Sequence, residues 1–169
     1  DALLALRFRL RSKPGNYEKA LLELPTGAGK TRVAVESLVK AFLDNDFQQI
    51  GPVLWIAQSE ELCEQAITTW SEVWREFSDE RSLSINRFFG AYRPEAPELE
   101  LSVVVATDAM LHEHIGDESY DWIYAPVAVV VDEAHRAADS KLYERIFQEL
   151  GVDLGQCERP LFGLSATPY

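Results

Sequence analysis

Short apolar runs alternate with amphipathic stretches along the chain, and the two kinds of segment keep different periods. Residues 19–24, 53–57, 84–89, 103–106, 127–131 and 161–165 read as strands. The runs at 103–106 and 127–131 are almost unbroken valine and alanine, as strands covered on both faces require. Between them, residues 30–43, 60–77, 108–114 and 140–150 read as helices. Val33, Leu38 and Phe42, with Ala34 and Ala41, give the first helix an apolar face, and Leu62, Ala66, Ile67, Trp70 and Trp74 do the same for the second. Ser59 is placed to cap the second helix and Gly151 to stop the last. Residues 92–100 carry Pro94, Pro97 and three glutamates and read as an exposed connection. Strands alternating with helices predict an α/β fold, an open and mainly parallel sheet with helices on both faces.

Composition narrows this picture without changing it. At 169 residues and 47% hydrophobic content, the expectation is one domain spanning 1–169 with a substantial core. The net charge of −12 is uneven: residues 1–50 hold eight Lys/Arg against six Asp/Glu, and residues 51–169 hold eight against 22. A nucleic-acid partner would therefore be held by local contacts or through another domain, not by a general positive field. Arg7, Arg9 and Arg11 alternate with Phe8 and Leu10, which suits either such a contact or a solvated edge strand. Two cysteines without a CxxC spacing exclude a disulfide scaffold and fit a reducing, intracellular compartment. The longest apolar stretch, residues 125–131, contains a proline and is far below membrane-spanning length. The chain opens at Asp1, which reads as a processing or cloning boundary.

The chemistry is concentrated in three places. Leu24-Pro25-Thr26-Gly27-Ala28-Gly29-Lys30-Thr31 joins the first strand to the first helix and matches a phosphate-binding loop, with Leu24 where the strict pattern has its first glycine. Gly27 and Gly29 allow a tight turn, Lys30 can reach phosphate oxygens, and the Thr31 hydroxyl can serve Mg²⁺. The competing reading is a glycine-rich connection with no ligand. Asp132-Glu133-Ala134-His135 follows the valine run, which would stand Asp132 at a strand's carboxyl end as a metal carboxylate, with Glu133 beside it to polarise water. A solvated loop or helix cap is the alternative there. His135 lacks the partners of a zinc site, and His112 and His114 do not share a helix face, so they read as surface or structural residues. Leu161-Phe162-Gly163-Leu164-Ser165-Ala166-Thr167-Pro168 ends a strand in two hydroxyls that either cap it or bond the acidic loop.

As an ordered set, these three segments resemble the first motor domain of superfamily 2 helicases and translocases of the DEAH-box type, in the DNA-repair or restriction-associated branch. The resemblance covers essentially the whole chain. It implies a RecA-like P-loop NTPase domain that binds ATP and Mg²⁺ through Pro25, Thr26, Gly27, Ala28, Gly29, Lys30 and Thr31. It further implies that Thr31 and Asp132 hold the metal and that Lys30, Asp132 and Glu133 carry the hydrolysis. His135, Ser165 and Thr167 would couple that hydrolysis to nucleic acid, with DNA favoured over RNA. Residues 58–65 correspond to the motif after the second strand, and Ala106-Thr107-Asp108 to a contact site after the fourth. Ser59, Thr107 and Asp108 are thus candidate nucleic-acid contacts; Ser59 stands where relatives often carry a basic residue, so a charge-assisted phosphate contact is lost.

Two elements of the family pattern have no counterpart in these residues: the glutamine that selects adenine, and the second RecA-like domain that closes the ATP cleft. The expectation is the ATP-binding half of a helicase or translocase, weak or inactive by itself. Two rivals stay open, a DNA-tracking ATPase subunit of a restriction or defence complex without strand separation, and a nucleotide-gated protein scaffold.

Overall fold

Valine and alanine runs with no polar face can only be satisfied in the middle of a sheet, and that is where they lie. The computed structural model describes residues 19–24, 29–47, 49–98, 101–152 and 157–166. Its strands are β1 Lys19–Leu24, β2 Val53–Ala57, β3 Ser84–Phe88, β4 Ser102–Thr107, β5 Ala128–Val131 and β6 Leu161–Ala166. Its helices are α1 Lys30–Leu43, α2 Glu60–Phe77, α3 Asp108–Glu113 and α4 Lys141–Leu150. All six strands form one sheet in the order β1-β6-β5-β2-β4-β3, every pair parallel. Every residue of β2, β4 and β5 is buried, whereas edge strand β1 alternates between exposed and half-buried positions. The sixth of the described strands therefore lies between the first and the fifth.

Helices cover both faces, as the pattern predicts, and the fold is that of a RecA-like P-loop NTPase domain. On one face Trp55, Val105, Val130, Phe162 and Leu164 pack beneath α1 and α2. Trp55 and Trp70 meet edge to face with ring centroids 6.4 Å apart, at the centre of that layer. On the other face Leu54, Ile56, Val104, Val129 and Val131 pack against Leu111, Ile146 and Leu150 of α3 and α4. Hydroxyls start three of the helices. Ser59 Oγ accepts from the Leu62 N–H at 3.2 Å, Thr107 Oγ1 from Met110 at 3.3 Å and Ser140 Oγ from Tyr143 at 3.4 Å.

Boundaries move by a residue where pairing or capping decides them. β4 runs from Ser102 to Thr107 because both ends find register partners, Ser84 on β3 and Ala57 on β2. Val127 stays outside β5 and donates its N–H to the Pro52 carbonyl. Ser140 is the cap of α4 and not its first residue. His114 is structural: its ring packs against Phe88 and Tyr120 and its Nδ1 lies 3.1 Å from the Met110 carbonyl. Among the described residues no helix is long and apolar enough to cross a membrane.

Candidate functional site

Because β1, β6 and β5 are parallel neighbours, the segments that leave their carboxyl ends emerge together, the usual place for a ligand in an open α/β sheet. Gly29 leaves the first of these segments in the left-handed conformation, φ 74° and ψ 33°, and serves as N-cap of α1. A Cβ there would meet nothing within 4 Å, so glycine is demanded by the backbone conformation and not by crowding. No side chain caps this helix, which leaves its first N–H groups directed at whatever occupies the loop. Thr31 lies in that first turn. Pro25, Thr26, Gly27 and Ala28 lie outside the described residues, as do Thr167 and Arg7, Arg9 and Arg11.

Lys30 crosses the gap between the two segments. Its Nζ donates to Glu133 Oε1 at 2.5 Å and stands 4.0 Å from Asp132 Oδ1, joining residues separated by 103 positions in the chain. Asp132 is only 5% exposed. Burial pushes its carboxyl above the ordinary carboxylate range; the Lys30 charge and a hydrogen bond from the Glu133 N–H pull it back, and the Glu133 charge adds to the rise. That N–H lies 2.9 Å from Asp132 Oδ1.

Glu133 itself is strained. Its φ of 50° and ψ of 48° are left-handed for a residue with a Cβ, a conformation that costs roughly 1–2 kcal/mol. The turn is held from outside. Gln58, leaving β2, points Nε2 at the Asp132 carbonyl (3.5 Å), the Glu133 carbonyl (3.4 Å) and the Tyr143 hydroxyl (3.3 Å). Ala134–Arg136 then form one 3-10 turn over β6, where Gly163 lies directly beneath Ala134. A Cβ on Gly163 would sit 2.8 Å from the Ala134 Cβ.

The final strand and the acidic loop do meet. His135 Nδ1 lies 3.0 Å from Ser165 Oγ and 3.5 Å from Glu133 Oε2, so Glu133 is contacted by Lys30 on one oxygen and His135 on the other. The remaining candidates are more dispersed. Ser59 is exposed at the start of α2, Thr107 is buried with its hydroxyl engaged as a cap, and Asp108 Oδ1 accepts from the Ala109 N–H at 2.7 Å. These three stand at the ends of β2 and β4, on the same edge of the sheet as the acidic loop.

A cavity of about 670 Å³ lies elsewhere. Leu21, Val131, Ala134, Phe147 and Leu161 line it together with the charged residues Lys19, Asp139, Lys141 and Glu144. Among the described residues no group of three or more His, Cys, Asp or Glu is placed to hold a metal. That donor set still suits Mg²⁺ on a nucleotide, which needs only one or two hard oxygen ligands from protein and takes the rest from phosphate and water. An uncapped helix N-terminus, a lysine and a buried carboxylate fit a Mg²⁺–triphosphate. Cys63 and Cys157 are buried, and burial pushes the Cys63 thiol up to about 12.

The family model described as "Type III restriction enzyme, res subunit" matches residues 2–169. The chain belongs to that family. Membership makes it an ATP-binding domain of the superfamily 2 helicase and translocase type, related to the restriction-enzyme branch. Among solved structures, the UvsW helicase from bacteriophage T4 is 20% identical with a TM-score of 0.63, covering 97% of this chain and 51% of that one. A nuclease-deletion mutant of the Type ISP restriction-modification enzyme LlaGI, solved with a DNA substrate mimic, is 14% identical with a TM-score of 0.63, covering 96% of this chain and 17% of that one. The Sulfolobus solfataricus SWI2/SNF2 ATPase core, solved with dsDNA, is 18% identical with a TM-score of 0.60, covering 98% of this chain and 30% of that one. The chain thus spans about half or less of these proteins, and at such identities the likeness speaks for the fold. No curated protein matches it significantly.

Sequence reasoning named Gln58 only as part of a motif and gave Tyr143 no role. They are 85 residues apart, and no local periodicity could have joined them.

Proposed function

We propose that this domain is the ATP-binding half of a DEAH-type motor that couples ATP hydrolysis to movement along nucleic acid, with DNA the favoured track. The observation that carries this reading is the convergence of Lys30 with Asp132 and Glu133 at the open ends of β1 and β5, with Ser165 of β6 bonded to His135 between them. A site that only bound phosphate would need no pair of carboxylates facing the lysine.

Lys30 and the N–H groups of Gly29 and the first turn of α1, with Pro25, Thr26, Gly27 and Ala28, hold the triphosphate. Thr31 and Asp132 hold Mg²⁺. Bound ATP and Mg²⁺ supply the phosphoryl electrophile and the Lewis acid. Glu133 orients the attacking water and takes its proton on Oε1 once Lys30 has exchanged that oxygen for phosphate. His135 and Ser165, with Thr167, report the position of Glu133 to the surface after β6. A second RecA-like domain closes the cleft.

The test is ATPase activity of the full protein with single- and double-stranded DNA and RNA at two salt concentrations. Stimulation by one nucleic acid that disappears in Lys30→Ala and Glu133→Gln is the expected result; turnover unchanged in both substitutions would overturn the assignment. The restriction-family membership favours one further distinction, a DNA tracker that does not separate strands. Such a protein displaces a triplex-forming strand from duplex DNA and leaves a forked duplex intact.

A further inference from the structure

Gln58 is the point at which the surface loop after β2, proposed to touch nucleic acid, meets the backbone of the acidic pair. It leaves β2 immediately before Ser59, the exposed cap of α2. Its Nε2 is surrounded by three acceptors, the Asp132 and Glu133 carbonyls and the Tyr143 hydroxyl, all between 3.3 and 3.5 Å. The amide cannot turn over without setting Oε1 against two carbonyl oxygens, and Oε1 already lacks a partner among the described residues. Tyr143 is 2% exposed, so the hydroxyl that accepts from Gln58 belongs to a buried ring held by α4. A continuous polar path therefore runs from Tyr143 through Gln58 to the carbonyl of Glu133.

The far end of that path is easily moved. Glu133 is left-handed without being glycine, so its conformation persists only while its surroundings enforce it. Gln58 supplies side-chain hydrogen bonds to its carbonyl and to that of Asp132. A displacement of the loop after β2 shifts those bonds and, with them, the carboxylate that Lys30 and His135 contact.

We propose that Gln58 is a positioning residue, whose amide transmits nucleic-acid engagement at the loop after β2 to the backbone of Glu133 and so sets the rate of stimulated hydrolysis. This rests on the motor reading given above.

The experiment compares Gln58→Leu, Gln58→Glu and Tyr143→Phe in the full protein, measuring kcat and KM for ATP with and without the stimulating nucleic acid. Losing the amide donor is expected to reduce the stimulated-to-unstimulated ratio about tenfold in both Gln58 variants, with KM for ATP within about twofold. Tyr143→Phe keeps the buried ring and is expected to reduce the ratio about threefold, the smaller effect of cutting the path one bond further from Glu133. A ratio that survives in all three, or a KM that rises as far as kcat falls, overturns the proposal while the motor reading stands. Wild-type protein whose turnover no nucleic acid alters would overturn the motor reading first, so the two failures are distinguishable. If Gln58→Leu does not fold, as judged by its thermal transition, Gln58→Glu and Tyr143→Phe decide the matter.

Discussion

Gly163→Ala is the substitution that most directly couples the sheet to the acidic loop. An ideal Cβ at this position lies 2.8 Å from the Ala134 Cβ and 3.0 Å from Leu21 Cδ1. Ordinary carbon–carbon contact is about 3.5–4.0 Å, so the new methyl needs roughly 1 Å more room. Leu21 is 58% exposed and can swing away. Ala134 cannot, because it is backbone-adjacent to Glu133 and begins the 3-10 turn that carries His135. The turn must lift, at a cost of about 1–3 kcal/mol in stability. A carboxylate misplaced by about 1 Å loses up to roughly a hundredfold in rate, so kcat for ATP is expected to fall between tenfold and a hundredfold, with urea denaturation reporting the stability loss. Removing the opposing methyl in Gly163→Ala/Ala134→Gly should recover at least half of the lost activation free energy. Single-variant turnover within twofold of wild type, or a double variant no better than the single, would refute the argument that this close contact seats the acidic loop.

Lys30→Met keeps the aliphatic stem and removes the charge facing Asp132 and Glu133; a loss of about 1–2 kcal/mol at pH 8 is expected by denaturation, since these groups are only partly solvated. The folded Asp132 carboxyl is already raised by burial, and without Lys30 it rises further, so the native state holds its proton more tightly. Stability of the variant must therefore fall as pH climbs from the unfolded carboxylate value through the folded one, and its deficit relative to wild type should be smaller at pH 5 than at pH 8. Asp132→Asn removes the desolvated charge and should raise Tm of the nucleotide-free protein at neutral pH while abolishing the added stabilisation from Mg²⁺–ATP; a variant still stabilised by Mg²⁺–ATP to the wild-type extent would remove Asp132 from the metal site. Trp70→Ala, in the centre of the layer under α2, should cost about 3–5 kcal/mol in urea titration.

Much of this architecture is written locally. The runs in β2, β4 and β5 can only be buried strands, and Trp70 recurs with Leu62, Ala66 and Ile67 at helical spacing, so both element types and one packing face follow from the chain itself. The acidic pair and Lys30 were legible because each lies at a junction between periodic segments. What the pattern could not carry is the strand order, since nothing in residues 161–166 indicates that they insert between β1 and β5. The left-handed turn at Glu133 was hidden for the same reason, being imposed by Gln58 from another strand, and Gly163 reads as an ordinary strand glycine until Ala134 is placed above it. Ser59 was legible as a helix cap and its bond to the Leu62 N–H bears this out, whereas the capping bond of Thr107 to the Met110 N–H carried no signal in the sequence pattern.

The placement of β6 also orders the making of the protein. Among the described residues β1 pairs with β6 alone, in a register running from Lys19 opposite Leu161 to Leu24 opposite Ala166. During synthesis this strand therefore waits for that partner until almost the last residues described have been added, while β2, β4 and β5 can already pair among themselves. Such distant pairing makes for slow assembly and a vulnerable interval. On the proposed motor reading, nucleotide could not stabilise the growing chain during that interval, because the two halves of its site are brought into register only by β6.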